Sequence, residues 1–172
     1  MCGILAYIGS RPPTGFRGAL DTLSHRGPDA VGLYQAPSGR AALGHRRLAI
    51  IDLSEAGNQP LFNEDRSLAL VCNGEIYNYP VLRRELERLG HRFASDSDSE
   101  VILHAYEEWG TGCLDRFLGM FAFMLHDARS DEIFAARDHA GIKPLCYAVL
   151  PDGLLLASDA RAILPLLADR RL

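Results

Sequence analysis

The chain opens Met1-Cys2-Gly3-Ile4-Leu5-Ala6-Tyr7-Ile8-Gly9. Gly3 to Ile8 is an apolar run stopped by Gly9-Ser10-Arg11-Pro12-Pro13, a composition that predicts a buried strand followed by a loop. Cys2, at the head of that strand, supports two readings. In one it is a small buried side chain that starts the strand. In the other it is a nucleophile: once Met1 is removed, Cys2 carries a thiol and a free α-amine in one residue. Such an amine has an ordinary pKa of about 7.7–8 and can act as a base near neutral pH, a known way to activate an N-terminal nucleophile.

The rest of the composition narrows the field. A chain of 172 residues is the size of one domain with a substantial core. Its 48% hydrophobic and 23% charged residues are those of a globular protein. The formal charge of −4 offers no basic patch for nucleic acid. Apolar runs reach only about six residues, against roughly 20 for a membrane span. The start lacks the basic and apolar regions of a signal peptide. Cysteines at 2, 72, 113 and 146 have neither zinc-site spacing nor disulfide density, and Cys72 and Cys146 read as core hydrophobes. A reducing, cytoplasmic setting is expected. The six histidines are scattered without ligand spacing, so no metal site is predicted.

Beyond the first strand, Phe16 to Leu23 has helical spacing, and His25-Arg26-Gly27-Pro28-Asp29 is turn chemistry before a short strand, Val31 to Tyr34. The apolar run from Ala41 to Ile51 is interrupted by His45-Arg46-Arg47. Adjacent arginines there read either as a solvated edge or as one guanidinium kept for an anionic partner. Leu68 to Cys72 is too continuous for a one-sided strand and ends at Asn73-Gly74-Glu75. A helix follows, with Asn78 as cap, Pro80 in its first turn and Gly90 past its end; its Arg83 to Arg88 charges read as an exposed face. Ser95 to Glu100 reads as the cap of a helix over Val101 to Trp109. Phe121–Leu125, Ile133–Ala136, Leu145–Leu150 and Leu154–Ala157 predict an antiparallel meander, and Asp159 to Leu167 a closing helix.

Hydrolysis of the side-chain amide of a free amino acid requires a nucleophile, a base, oxyanion donors, a cation for the α-carboxylate and an anion for the α-ammonium. Cys2 can supply the first two. Asn73 and Gly74 can supply a side-chain and a backbone donor, with glycine allowing close approach of a ligand. Arg47 can grip a carboxylate with two parallel bonds, and Asp98 or Glu75 can hold an ammonium.

The blocks MCGI, HRGPDA, GHRRLAIID, NQPL, NGEIYNY, SDSEVIL, GMFAF and RDHAGIKPLCY, in this order, resemble the glutaminase domain of glutamine-hydrolysing asparagine synthetases, a class II glutamine amidotransferase with an N-terminal nucleophile. The resemblance implies an α+β fold, a four-layer αββα sandwich of two antiparallel sheets between helices, with residues 2–172 as a single domain. It implies that Cys2 attacks L-glutamine and that Asn73 and Gly74 form the oxyanion hole. Arg47 would bind the α-carboxylate and Asp98, rather than Asp96, the α-ammonium with help from Glu75. Ile50 and Ile51 would add backbone contacts from a loop that closes over the substrate, while Arg46 is left as a surface residue.

Nothing in the chain resembles the pyrophosphate-binding loop of the synthetase half of that family, and the glutaminase domain usually runs some tens of residues past Leu172. A truncated form, a fragment or a stand-alone domain with a synthetase partner is therefore expected. The domain itself is expected to need no cofactor, with ATP and Mg confined to the synthetase. An oligomer is possible. Ammonia delivery to another acceptor, such as glucosamine-phosphate or purine-precursor synthesis, and a silent interaction domain are the alternative readings.

Overall fold

A computed structural model describes residues 1–167; the last stretch of the expected domain, 168–172, lies outside the described residues. In chain order the elements are β1 (Gly3–Gly9), α1 (Phe16–Asp21), β2 (Ala30–Gln35), β3 (Ala41–Arg47), β4 (Leu61–Phe62), β5 (Leu68–Ile76), α2 (Tyr79–Leu89), α3 (Glu100–Trp109), β6 (Gly119–Asp127), β7 (Glu132–Arg137), β8 (Cys146–Leu150), β9 (Gly153–Ala157) and α4 (Ala160–Leu167). The strands make two sheets, β2-β3-β1-β9-β8 and β4-β5-β6-β7, with antiparallel pairing throughout.

The period of two along each strand divides the apolar residues among three cores. Leu5 and Tyr7 of β1 pack with Phe16 and Leu20 of α1 and Ile163 of α4. The alternate residues Ile4 and Ala6 meet Ala69, Val71, Ala122 and Met124 of the other sheet. Leu68, Leu70 and Cys72 of β5 then face Leu82 and Leu86 of α2 and Ile102 of α3. Helix, sheet, sheet and helix are thus four layers, the expected αββα sandwich. At about 1.5–3 kcal/mol for each fully buried large apolar side chain, these cores carry the fold.

Several local expectations are corrected. The four strands after Phe117 are not one meander: β6-β7 belongs to one sheet and β8-β9 to the other. Asn73 and Gly74 do not follow a strand but lie inside β5, which runs on to Ile76. Asn78 makes no side-chain cap bond to α2; its Nδ2 donates to Arg116 O (2.8 Å) and its Oδ1 accepts from Leu118 N (2.9 Å), tying α2 to the start of β6. Arg83 is not merely exposed: it donates to Ser95 O (2.7 Å) and lies over the Phe93 ring, bracing the loop that precedes α3. Arg46 is half-buried and paired with Asp21 of α1 rather than being free on the surface. Cys146 is only partly buried.

Polar links cross between the sheets at Tyr34 of β2 with His126 of β6 and at His45 of β3. His45 of β3 is buried, and its Nε2 lies 3.2 Å from Cys72 O of β5, so that nitrogen carries the proton. Burial pushes the His45 pKa down to about 3, opposed by that bond and assisted by Arg47. An unfolded histidine titrates near 6.5, so the unfolded chain takes up this proton first and the fold loses stability as pH falls below about 6.5. We expect His45→Gln to flatten the fall in unfolding free energy between pH about 6.5 and 4 relative to the parent, measured by urea denaturation. An unchanged slope would mean that His45 is not held neutral by the fold.

Candidate active site

At one end of the sandwich, where the β1–β3 ladder stops, Cys2, Arg47, Ile50, Ile51, Asn73, Gly74, Glu75 and Asp98 line a single pocket. Every residue singled out in the sequence is there. The ladder pairs Gly3 with Arg46 and so sets Cys2 beside Arg47. Leu48 holds the thiol on both sides: its N–H lies 3.4 Å from Cys2 Sγ and its carbonyl 3.7 Å away. Arg26 of the His25-to-Asp29 turn donates to Cys2 O (3.1 Å), and Asp29 accepts from Ala49 N (2.9 Å), so this turn anchors both the start of the chain and the 48–52 loop. Burial raises the thiol pKa, against the bond from Leu48 and the positive charges of the amino terminus, Arg47 and Lys143. Met1 is exposed at the pocket rim, so its removal would uncover the Cys2 amine there.

The outer edge of β5 explains the donors. Leu68 N–H goes to Asn63 Oδ1 (2.9 Å), Cys72 N–H to Gln59 Oε1 (2.6 Å) and Ile76 N–H to Asp98 Oδ2 (2.7 Å). These residues alternate, so Gly74 N–H points to the same edge, between Gln59 and Asp98, where β4 no longer covers it. Asn73 is 1% exposed, and its Nδ2 is buried without a hydrogen-bond partner among the described residues. A buried donor left unpaired costs about 1–3 kcal/mol, which marks it as a group shaped for something other than the fold. A Cβ at Gly74 would lie 2.4 Å from Met120 O and 2.6 Å from Phe121 Cα, so the neighbouring strand by itself demands a glycine here.

Arg47 is 8% exposed, and its guanidinium donates to Ser54 O (2.7 Å), Asn58 Oδ1 (2.7 Å) and Asp52 O. All three hydrogen-bond partners are neutral oxygens, so the buried cation ties down the 48–58 loop without a carboxylate in direct contact, while the nearby Asp52 carboxylate feels its charge. Ile50 and Ile51, on that loop, are 70% and 39% exposed at the pocket rim. Across the pocket, burial pushes Asp98 up to about 6, partly offset by the Ile76 N–H and reinforced by Glu75. The Asp96 side chain is 93% exposed and turned away.

Sequence reasoning missed Gln59, which fixes the β5 edge, and Lys143, which is buried to 7% exposure against the pocket. Lys143 belongs to the RDHAGIKPLCY block, where a lone lysine carries no local signal of burial; its N–H and that of Ile142 bind the Asp138 carboxylate, which turns this loop toward the site.

Two antiparallel sheets between helical layers, with a pocket at the end of one ladder, are the fold of the N-terminal-nucleophile hydrolases. Within it the chain belongs to the glutamine amidotransferase domain family, which it matches over residues 1–171. It is 45% identical over 169 residues to "Asparagine synthetase [glutamine-hydrolyzing] 2" of Arabidopsis thaliana, a match covering 95% of this chain and 28% of that protein. It is 47% identical over 169 residues to "Asparagine synthetase [glutamine-hydrolyzing]" of Asparagus officinalis, with 95% and 28% covered, and 39% identical over 170 residues to asparagine synthetase 2 of Bacillus subtilis, with 95% and 22% covered. The chain thus spans about a quarter of the length of these relatives. A glutamine phosphoribosylpyrophosphate amidotransferase from B. subtilis, solved with ADP and GMP, shares the fold at a TM-score of 0.82 and 24% identity, over 96% of this chain and 43% of that one.

The fold holds Asp98 with its pKa above that of an unfolded aspartate, near 3.8, so the ionised carboxylate weakens the folded state above pH about 6 and not below 3.8. Asp98→Asn keeps an acceptor for Ile76 N–H and should stabilise the fold near neutral pH by up to about 3 kcal/mol, the gain shrinking as pH falls through 6. Equal melting temperatures at neutral pH would show that the Asp98 charge costs nothing where it lies.

Proposed function

We propose that this domain hydrolyses L-glutamine to L-glutamate and ammonia, with Cys2 as nucleophile. The carrying observation is the buried, unpaired Asn73 Nδ2 in the same pocket as Cys2. With Met1 removed, the α-amine of Cys2 takes the thiol proton as Sγ attacks the side-chain amide carbon. The oxygen that gains charge is received by Asn73 Nδ2 and Gly74 N–H. The protonated amine then gives its proton to the departing nitrogen, leaving a thioester on Cys2 that water cleaves to glutamate. Arg47 meets the substrate α-carboxylate, Asp98 with Glu75 the α-ammonium, and Ile50 and Ile51 cover the bound substrate.

The ammonia acceptor in this reading is an asparagine-forming synthetase, as a further domain or a partner chain that uses ATP and Mg. The names of the relatives at 39–47% identity support that acceptor. An assembly with more than one copy of this chain belongs to the same reading, as does a cytoplasmic location. No helix among the described residues is long and apolar enough to cross a membrane.

Glutamine-dependent ammonia release should vanish in Cys2→Ala. Asn73→Ala should lower kcat by about 10²–10³ at a stability cost of no more than about 1 kcal/mol, because Nδ2 has no protein partner to lose. Arg47→Lys should raise KM for glutamine strongly through loss of the forked contact. Retained ammonia release in Cys2→Ala would refute the nucleophile; a normal kcat in Asn73→Ala would refute the oxyanion donor; an unchanged KM in Arg47→Lys would remove Arg47 from the carboxylate role.

A further inference from the structure

A second constellation lies away from the Cys2 pocket, where α3 meets the turn after β4 and the segment after α2. Glu64, His91, His104 and Glu107 each bring one ligand-capable atom there, all within 4.8 Å of one another. His104 Nδ1 is 3.0 Å from Glu107 Oε2 and 3.7 Å from Glu64 Oε2, and His91 Nδ1 is 3.5 Å from Glu107 Oε2. Donors about 2.0–2.1 Å from a tetrahedral cation stand about 3.3 Å apart, within the spread of 3.0 to 4.8 Å found here.

The outward atoms of the same side chains are held from behind. Glu64 Oε1 accepts from Arg92 N–H (2.9 Å), Glu107 Oε1 from Asn63 Nδ2 (2.8 Å), and His91 Nε2 lies 2.8 Å from Glu108 Oε1. His104 Nε2 is buried without a hydrogen-bond partner, with Glu100 Oε1 at 3.7 Å. Glu108 behind His91 keeps the proton on Nε2 and turns the Nδ1 lone pair inward, the usual arrangement at metal-bound histidines. His104 Nδ1 hydrogen-bonds to Glu107 Oε2 and would exchange that bond for the cation. Two neutral imidazoles and the carboxylates of Glu64 and Glu107 would balance a divalent cation, with Glu100 and Glu108 outside that inner set. Glu64, with its side chain 42% exposed, leaves a way in.

We propose that Glu64, His91, His104 and Glu107 bind a divalent cation of the Zn²⁺ class, clipping α3 to the two segments that pack on it. The mixed nitrogen and oxygen donors suit zinc and cobalt better than calcium or magnesium, which take oxygen ligands alone. The site is independent of the proposed glutaminase reaction. No metal site was expected from the sequence because only His104 and Glu107 are neighbours on one helix turn; the fold supplies the other two.

The test uses the chain in a Cys2→Ser background, stripped with EDTA, so that the pocket thiol takes no metal. Co²⁺ is titrated near neutral pH with visible absorption, and Zn²⁺ by calorimetry. The proposal expects one equivalent of Co²⁺ with tetrahedral bands and no sulfur charge-transfer band, its displacement by Zn²⁺, and a higher Tm with Zn²⁺. His91→Ala and Glu64→Gln should abolish the bands while keeping the EDTA-treated Tm of the parent, and Glu108→Gln should weaken binding by about 10–100-fold. The variants at Glu64 and Glu108 retain shape, so the test survives if His91→Ala does not fold. No uptake of either ion, uptake with thiolate bands, or affinity unchanged in these variants would overturn the proposal and leave a proton-bridged ion cluster.

Discussion

The site depends on the register in which β1 pairs with β3. Because Gly3 lies opposite Arg46, the ladder ends with Cys2 beside Arg47, and Leu48 closes on the thiol from the next position. A slip of one residue would turn Ile4 and Ala6 out of the layer between the sheets and put Leu5 and Tyr7 in their place. Hydrophobic burial on both faces of β1 therefore fixes where Cys2 stands, before any polar contact at the pocket is considered. The His45 bond to Cys72 O extends the same constraint across to β5, which brings Asn73 and Gly74 to the pocket.

The pocket itself opposes folding. Asn73 Nδ2 has no partner, Arg47 is a buried cation on neutral oxygens, and Asp98 resists ionisation where it lies. Each of these is a group whose best partner is an amide oxygen, a carboxylate or an ammonium, and the proposed substrate carries all three. The three apolar cores offset the cost of holding these groups ready.

Much of this was legible in the chain. Position alone left Cys2 with two readings, and the apolar runs located the strands, because a strand covered on both faces reads as a continuous apolar run. The partition of strands between sheets did not show: β6-β7 and β8-β9 are both local hairpins, and residues 138–145, which cross from one sheet to the other, look like any other turn. The roles of Gln59 and Lys143 depend on residues remote in sequence, Cys72 for the first and the loop ordered by Asp138 for the second. The packing reason for glycine at 74 was not legible either, since the atoms that exclude its Cβ belong to Met120 and Phe121, remote in sequence. The acidic run at 96–100 read as helix capping, yet its members diverge: Asp96 faces solvent, Asp98 the pocket, and Glu100 binds the Ala94 and Ser95 N–H groups.

The central claim is that a cysteine freed of its preceding methionine is the group that reacts. Incubation of the purified chain with a glutamine analogue bearing an electrophile at the side-chain carbonyl position, followed by peptide mass spectrometry, tests it most directly. One adduct is predicted, on an N-terminal peptide that begins at Cys2 and has lost Met1, and excess glutamine should protect against it. An adduct on Cys72, Cys113 or Cys146, or a reactive Cys2 that still carries Met1, would contradict the account.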